Sequence, residues 1–329
     1  MKYTRMTYVE RQQLKRWKQE KMSNAQIARL LGRSPSTISR EIKRNSGQKG
    51  YRPRQAQSKA EQRACRSGPR VWTDAMWEEV QEKMQTWQWT PEIISGRARK
   101  EGRRFVCKES IYQRLYEHAR EGGELWKHLP RSGRKRRRRC PRQEGRGRGK
   151  IPFRRDIDER PKEVESRKEA GHWEGDLING SPGSGHIVSM VERRTRYTLL
   201  GWVGGKDADS VSEQLICAAR RVDNGLFKTL TLDNGKEFAG HRFVERESGA
   251  KVYFAKPYHS WERGSNENVN GLIRRLHPKG SDFSGVDAEE QRALEAWLNK
   301  RPRKCLGWRT PEEQMAIELA RMRRRGDSR

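Results

Sequence analysis

The chain has 329 residues, and 73 lysines and arginines against 43 aspartates and glutamates leave it with a formal charge of +30. Only 32% of residues are hydrophobic and 35% are charged, which excludes one large apolar core and fits two or more units with basic connectors. Residues 1–170 hold 46 basic and 21 acidic residues, and 171–329 hold 27 and 22, so a polyanion, most simply nucleic acid, is expected on the first half. A basic membrane-surface protein is the competing reading, but the sequence has no long apolar helix or secretory signal. The five cysteines (Cys65, Cys107, Cys140, Cys217, Cys305) are odd in number, far apart and without Cys-x-x-Cys spacing, and the seven histidines are scattered. Neither a disulfide frame nor a zinc ribbon is supported, and a reducing, intracellular location is expected.

The first segment reads as short helices. Thr7 with Glu10 is a capping box before a helix carrying Leu14 and Trp17, and Ser23 with Gln26 repeats it before Ile27, Leu30 and Leu31. Gly32 stops that helix, and Ser34 with Pro35 opens a third with Ile38 and Ile42 inward. Two short helices across a tight Gly turn make a helix-turn-helix. The outward residues of the third helix are Ser36, Thr37, Ser39, Arg40, Lys43 and Arg44, a set of hydroxyls and cations suited to a major groove. A solvated basic helix in an ordinary bundle is the bland alternative.

Further on, Thr90-Pro91-Glu92 opens a helix through Lys100, Gly102 ends it, and 108–118 forms another with Ile111 and Leu115 inward. This predicts a second, weaker helix-turn-helix with Lys108, Ser110, Gln113 and Arg114 outward; a helical spacer is the alternative. Trp72, Trp77, Trp87 and Trp89 are expected as core for these bundles. Residues 131–150 contain 11 basic residues, one acid, four glycines and a proline, a composition that resists packing. Arg134, Lys135, Arg136, Arg137, Arg138 and Arg139 are expected to grip phosphates without reading sequence; a nuclear-localisation signal is the superficial alternative.

The second half changes character. Strands are predicted at 172–178, 186–192 and 197–203, then a helix at 207–221 with Val211, Leu215 and Ala218 or Ala219 inward. A strand at 228–233 ends in the Asn234-Gly235 turn, a helix runs to about 248, a fifth strand spans 251–258, and another helix begins near Asn266. This is an α/β or α+β unit with a mixed sheet.

Three carboxylates stand out by placement: Asp176 in the first strand, Asp233 ending the fourth, and Glu267 on the helix after the fifth, with 33 residues between Asp233 and Glu267. Burying an unpaired carboxylate is costly, so acids in strands call for a partner or a metal. An all-oxygen cluster suits Mg²⁺ or Mn²⁺, and two ions about 3.5–4 Å apart support in-line phosphodiester displacement without a protein nucleophile. Asp before Asn-Gly is also an ordinary turn signal. Glu174 shares a strand face with Asp176, either as a fourth acid or as an exposed or salt-bridged residue. Asn270 and Arg274 share the Glu267 face of the helix and are placed to touch the strand being cut. Arg263 and Asn266 sit at the helix start, where backbone N–H groups attract phosphate. Asn234 either touches DNA or fixes the turn, and His259 is weighed as a proton shuttle or as a plain loop residue. Thr310-Pro311-Glu312-Glu313 opens a tail helix, and Arg301, Arg303 and Lys304 before it form either a DNA contact or a solvated turn.

Several strings carry a resemblance: IARLLGRSPSTISREIKRN (27–45), RPKEVESRKEAGHWEGDLI (160–178), VERRTRY (191–197), LTLDNGKEFAGH (230–241), WERGSNENVNGLIRR (261–275) and LNKRPRKCLGWRTPEE (298–313). In this order they resemble the bacterial insertion-sequence transposases of the family numbered thirty, of the Asp-Asp-Glu type. The resemblance implies a multidomain chain: all-α helix-turn-helix domains at 1–50 and 51–130, a basic linker at 131–165, an α/β RNase H-like, integrase-type catalytic domain at 166–285, and a helical extension at 286–329. It assigns Asp176, Asp233 and Glu267 as ligands of Mg²⁺ or Mn²⁺, two ions per site. It implies binding to terminal inverted repeats and target double-stranded DNA, cutting and joining by hydrolysis and transesterification, self-association on DNA, and a bacterial cytoplasmic, nucleoid-associated location. Cys107 stands where such proteins usually carry Ser, and cysteine is a poor N-cap. The rival class is a sequence-specific repressor with a non-catalytic oligomerisation domain. A plain RNase H would need no helix-turn-helix, and no hydroxyl nucleophile has the neighbours a serine or tyrosine recombinase requires.

Overall fold

Local capping decides the first three helices. In the computed structural model, which describes residues 6–48, 50–65, 72–130, 151–256 and 264–326, both predicted capping boxes close. The Thr7 backbone N–H donates to Glu10 at 2.6 Å, and that of Ser23 to Gln26 at 2.9 Å. The helices are α1 (Tyr8–Gln19), α2 (Asn24–Leu30) and α3 (Pro35–Asn45), the last capped by Ser34. Leu14, Ile27 and Ile38 are fully buried together, with Trp17 and Ile42 against them. Leu30 is an exception to the predicted apolar stripe and lies 57% exposed.

The chain divides into Met1–Thr73 and Asp74–Arg329. The first boundary therefore falls beyond the expected residue 50, because α4 (Pro53–Cys65) packs on α1 and α3. Arg11 joins them: its guanidinium reaches Glu41 at 2.7 Å, the Met6 carbonyl at 2.6 Å and Gln57 on α4 at 2.5 Å.

In the second unit α5 (Asp74–Gln85), α6 (Pro91–Lys100) and α7 (Lys108–Arg120) precede the sheet. The strands are β1 (His172–Asn179), β2 (His186–Glu192), β3 (Thr198–Val203), β4 (Thr229–Leu232) and β5 (Lys251–Phe254). They lie in the order β3-β2-β1-β4-β5, with β1–β2 and β2–β3 antiparallel and β4 and β5 parallel to β1. Helices α8 (Glu163–Ser166), α9 (Ala208–Arg220) and α10 (His241–Ser248) are followed by α11 (Gly264–Leu276), α12 (Ala288–Asn299) and α13 (Pro311–Gly326). Alternation along β1 sorts two cores: Trp173 and Leu177 face Leu215 of α9, whereas Ile178 faces Ile273 of α11 and Leu298 of α12. Gly175 leaves room for a β4 side chain, since a Cβ there would stand 2.6 Å from Leu232 Cδ2.

Residues 151–165 are not linker. Ile151 is buried in the α9-side core, Asp156 bridges Phe254, and the Arg160 guanidinium is buried against Thr231 at 2.9 Å. The three helices α5–α7 are likewise tied to the tail. Gly96 lies under the Trp308 ring, 2.3 Å from where a Cβ would stand, and Arg97 forks onto Glu313 at 2.6 and 2.8 Å. Trp87 packs on the α11–α12 core rather than within a separate bundle. No helix among the described residues is long and apolar enough to cross a membrane.

Candidate catalytic and DNA-binding site

The parallel pairing of β1 with β4 ends at Glu174↔Thr231. Two residues further along each strand direction stand Asp176, inside β1, and Asp233, just past the end of β4, so the register sets them at corresponding positions. Both are half-buried. The backbone N–H of Gly235 donates to Asp233 at 2.9 Å, so the Asn-Gly turn orients this acid. Asn234 is a turn residue: its amide donates to the Ala255 carbonyl at 2.5 Å and its oxygen accepts from Arg154.

Helix α11 brings the third acid. Asn270 donates to Asp176 at 2.5 Å, and Ser189 of β2 donates to the Asn270 oxygen at 3.3 Å. Glu267 lies one turn before Asn270 on the same helix face and is exposed. Among the described residues no three His, Cys, Asp or Glu side chains already converge as a metal cluster. The fold thus sets two acids level and stands the third on the adjacent helix. Arg274 continues this face but is spent on carbonyls, donating to Asn179 at 2.6 Å and Pro278 at 3.2 Å.

Glu174 holds α11 in place. It is fully buried and accepts from the backbone N–H groups of Ser265 at 3.0 Å and Asn266 at 3.2 Å, from the Ser265 hydroxyl at 3.2 Å, and from Arg193 at 2.7 Å. A carboxylate at a helix N-terminus satisfies orphan donors and complements the helix dipole. The ion-paired reading of Glu174 is therefore the one the geometry bears out. It also corrects the expected role of Asn266, which is 1% exposed and cannot offer its backbone to phosphate because Glu174 occupies it.

The VERRTRY string is scaffold of the same kind. Glu192, fully buried, accepts from the backbone N–H groups of Gly171 (3.1 Å), His172 (3.3 Å), Arg194 (2.9 Å) and Thr195 (2.5 Å), tying the start of β1 to the β2–β3 turn. Burial pushes its pKa upward, against those donors. Arg193 spans from Glu174 to Glu165, and Arg196 bonds the Ser265 hydroxyl. Sequence reasoning missed these anchors; the signal was charged residues adjoining strands otherwise apolar.

On α3, Ser36, Ser39, Arg40, Lys43 and Arg44 are exposed and Thr37 half-exposed, opposite buried Ile38, so the predicted outer face exists. On α7, Lys108, Gln113 and Arg114 are exposed, but Ser110 is 3% exposed and turned toward Cys107, 3.3 Å away. Ser110 is thus inward because the helix phase buries it with Ile111. Cys107 makes no side-chain cap bond, as its chemistry suggests. Arg301 is buried (2% exposed) and donates to the Trp87 carbonyl at 2.9 Å, so it is no solvated turn residue; Lys304 is exposed and pairs with Glu92 at 2.7 Å. Arg134–Arg139, His259 and Arg263 lie outside the described residues.

Capped short helices with a cationic outer face define a helix-turn-helix DNA-binding protein. Residues 2–45 match the family model described as a helix-turn-helix domain. The chain is 43% identical over 296 residues to the transposase for insertion sequence element IS4351 of Bacteroides fragilis, covering 89% of this chain and 90% of that one. It is 38% identical over 317 residues to the transposase InsI for insertion sequence element IS30A of Escherichia coli (94% and 82% covered). With the transposase for insertion sequence element IS1086 of Cupriavidus metallidurans it shares 37% over 331 residues (97% and 96%). The chain belongs to the IS30 family of insertion-sequence transposases, and its function is DNA transposition.

Proposed function

We propose that Asp176, Asp233 and Glu267 carry the chemistry of transposition, in a catalytic domain of RNase H-like, integrase type. The observation that carries the reading is the parallel β1–β4 register, which sets Asp176 level with Asp233 beneath the helix bearing Glu267. The sheet order, three antiparallel strands followed by two parallel ones, supports it. The donor set is all carboxylate oxygen, which fits Mg²⁺ or Mn²⁺. When bound, two such ions supply activation of the attacking oxygen and stabilisation of the leaving one.

The chain's own residues orient that set. Asn270 fixes the Asp176 carboxylate, Gly235 fixes Asp233, and Glu174 pins the helix start that presents Glu267. At each step a phosphorus–oxygen bond forms as another breaks: water attacks to release a 3′-hydroxyl, and that hydroxyl attacks target DNA. The residues Ser36, Thr37, Ser39, Arg40, Lys43 and Arg44 lie in the major groove of the inverted repeat, with Lys108, Gln113 and Arg114 as a second contact. Two element ends must be held together, so the active assembly is at least a dimer. Titrating Mn²⁺ and following the free ion by electron paramagnetic resonance tests the ligand set. Asp176→Asn and Glu267→Gln are expected to weaken binding at least tenfold; unchanged binding in both would refute the assignment.

A further inference from the structure

Beside the tip of α11, on the flank away from Glu267 and Asn270, a cavity of about 520 Å³ is lined by Arg167, Arg196, Arg275, Arg301, Arg303 and Lys304. Only one of these cations has a carboxylate partner among the described residues: Lys304 pairs with Glu92. None of the five guanidiniums is ion-paired within that same set. Their contacts are to neutral groups: Arg196 to the Ser265 hydroxyl, Arg301 to the Trp87 carbonyl at 2.9 Å, and Arg303 to the Leu298 carbonyl at 3.3 Å. Arg275 Nη1 and Arg303 Nε are buried without a hydrogen-bond partner among those residues.

Burying like charges together is unfavourable unless something compensates them. Burial, then the neighbouring Arg303 and Arg275, hold Arg301 down at about 9; burial, then Arg196 and Arg275, hold Arg303 at about 10. Arg167 and Arg196 also take left-handed backbone, φ 52° and 62°, a conformation that costs energy in residues other than glycine. A cluster held at such cost around one cavity calls for an anion to compensate it. Guanidinium forks match phosphate oxygens.

We infer that this arginine-lined cavity seats the phosphodiester backbone of a DNA strand on the flank of α11 opposite the acids. This inference rests on the family's action on DNA and is independent of which residues hold metal. The usual place for a phosphate, the helix tip, is already filled by Glu174, and the arginines surround that same tip at Gly264 and Ser265.

The test uses the full chain and a random-sequence duplex without divalent ions, so cleavage plays no part. Arg275→Gln with Arg303→Gln is compared with the parent for thermal midpoint and for the salt dependence of DNA affinity. The expected result is a midpoint equal to or above the parent's, because repulsion is relieved, and a log–log salt slope smaller by about 0.9 for each phosphate no longer neutralised. A folded variant with unchanged slope would overturn the inference. So would a lowered midpoint, which would make the arginines structural. If the double variant does not fold, Arg167→Gln on the half-exposed rim repeats the measurement with the same readings. Inorganic phosphate separates the sources: a saturable midpoint rise abolished in the variant, with the DNA slope intact, would assign the cavity to free phosphate and refute the DNA reading.

Discussion

Glu174 and Asp176 stand two residues apart on one strand face, yet their surroundings give them opposite roles. Glu174 is wrapped by Arg193 and the α11 tip, whereas Asp176 is half-buried and held by the Asn270 amide. Removing one partner of a buried pair leaves the other charge uncompensated, so Arg193→Met is expected to cost about 3–5 kcal/mol of stability in chemical denaturation. Asn270→Ala should behave differently. It is expected to lower the turnover of strand transfer by about 10–100-fold while shifting the unfolding midpoint little, since it orients the Asp176 carboxylate and carries no core. At this scale the acids were legible because a carboxylate within a strand or closing one is conspicuous. The fates of Asn266 and Ser110 were not: one is decided by a carboxylate 92 positions away in sequence, the other by the phase of α7 against its neighbours.

At the scale of elements, helix starts were the most readable feature, because a cap is an interaction over three residues. Thr7, Ser23, Ser34 and Thr90 all cap the helices their spacing announces, and Asp207 caps α9. The join between β1 and β4 was not readable, since parallel pairing depends on chain folding far from either strand. That join carries a titratable group. His172 at the start of β1 is buried against Thr229 of β4 at 2.9 Å, and burial holds it below its ordinary pKa of 6.5, with Glu169 pulling the other way. The folded state therefore keeps it neutral while the unfolded chain takes up a proton below pH 6.5. Stability is fully present above that pH and falls as the solution becomes more acidic, by up to about 1.4 kcal/mol per pH unit from this group. Denaturation midpoints measured at pH 7.5 and 5.5 should fall less in His172→Gln than in the parent. On α3, Arg40→Ala is expected to cost about 1–3 kcal/mol of inverted-repeat affinity and relax sequence preference, checked by titrating cognate and scrambled duplexes.

For the whole molecule, the uneven charge marks a division of labour. The first 170 residues carry most of the excess of lysine and arginine, and the second half has to keep acids together. Neutralising Arg134, Arg136, Arg137, Arg138 and Arg139 along with Lys135 is expected to weaken all duplexes alike and to reduce the salt slope by about 0.9 for each phosphate released. A weakening confined to the inverted repeat would show that this segment reads sequence. Domain borders were the least legible feature. The weakly apolar α4 gave no sign of joining the first unit, and the polar stretch 151–165 docks through a few buried residues such as Ile151 and Arg160. The central claim is that the Asp-Asp-Glu set turns DNA binding into DNA chemistry. Incubating end-labelled inverted-repeat DNA and Mg²⁺ with the parent chain and with Asp233→Ala tests it most directly. The expected result is cleavage and joining by the parent alone, with equal DNA binding by both; the same products from both would contradict the account.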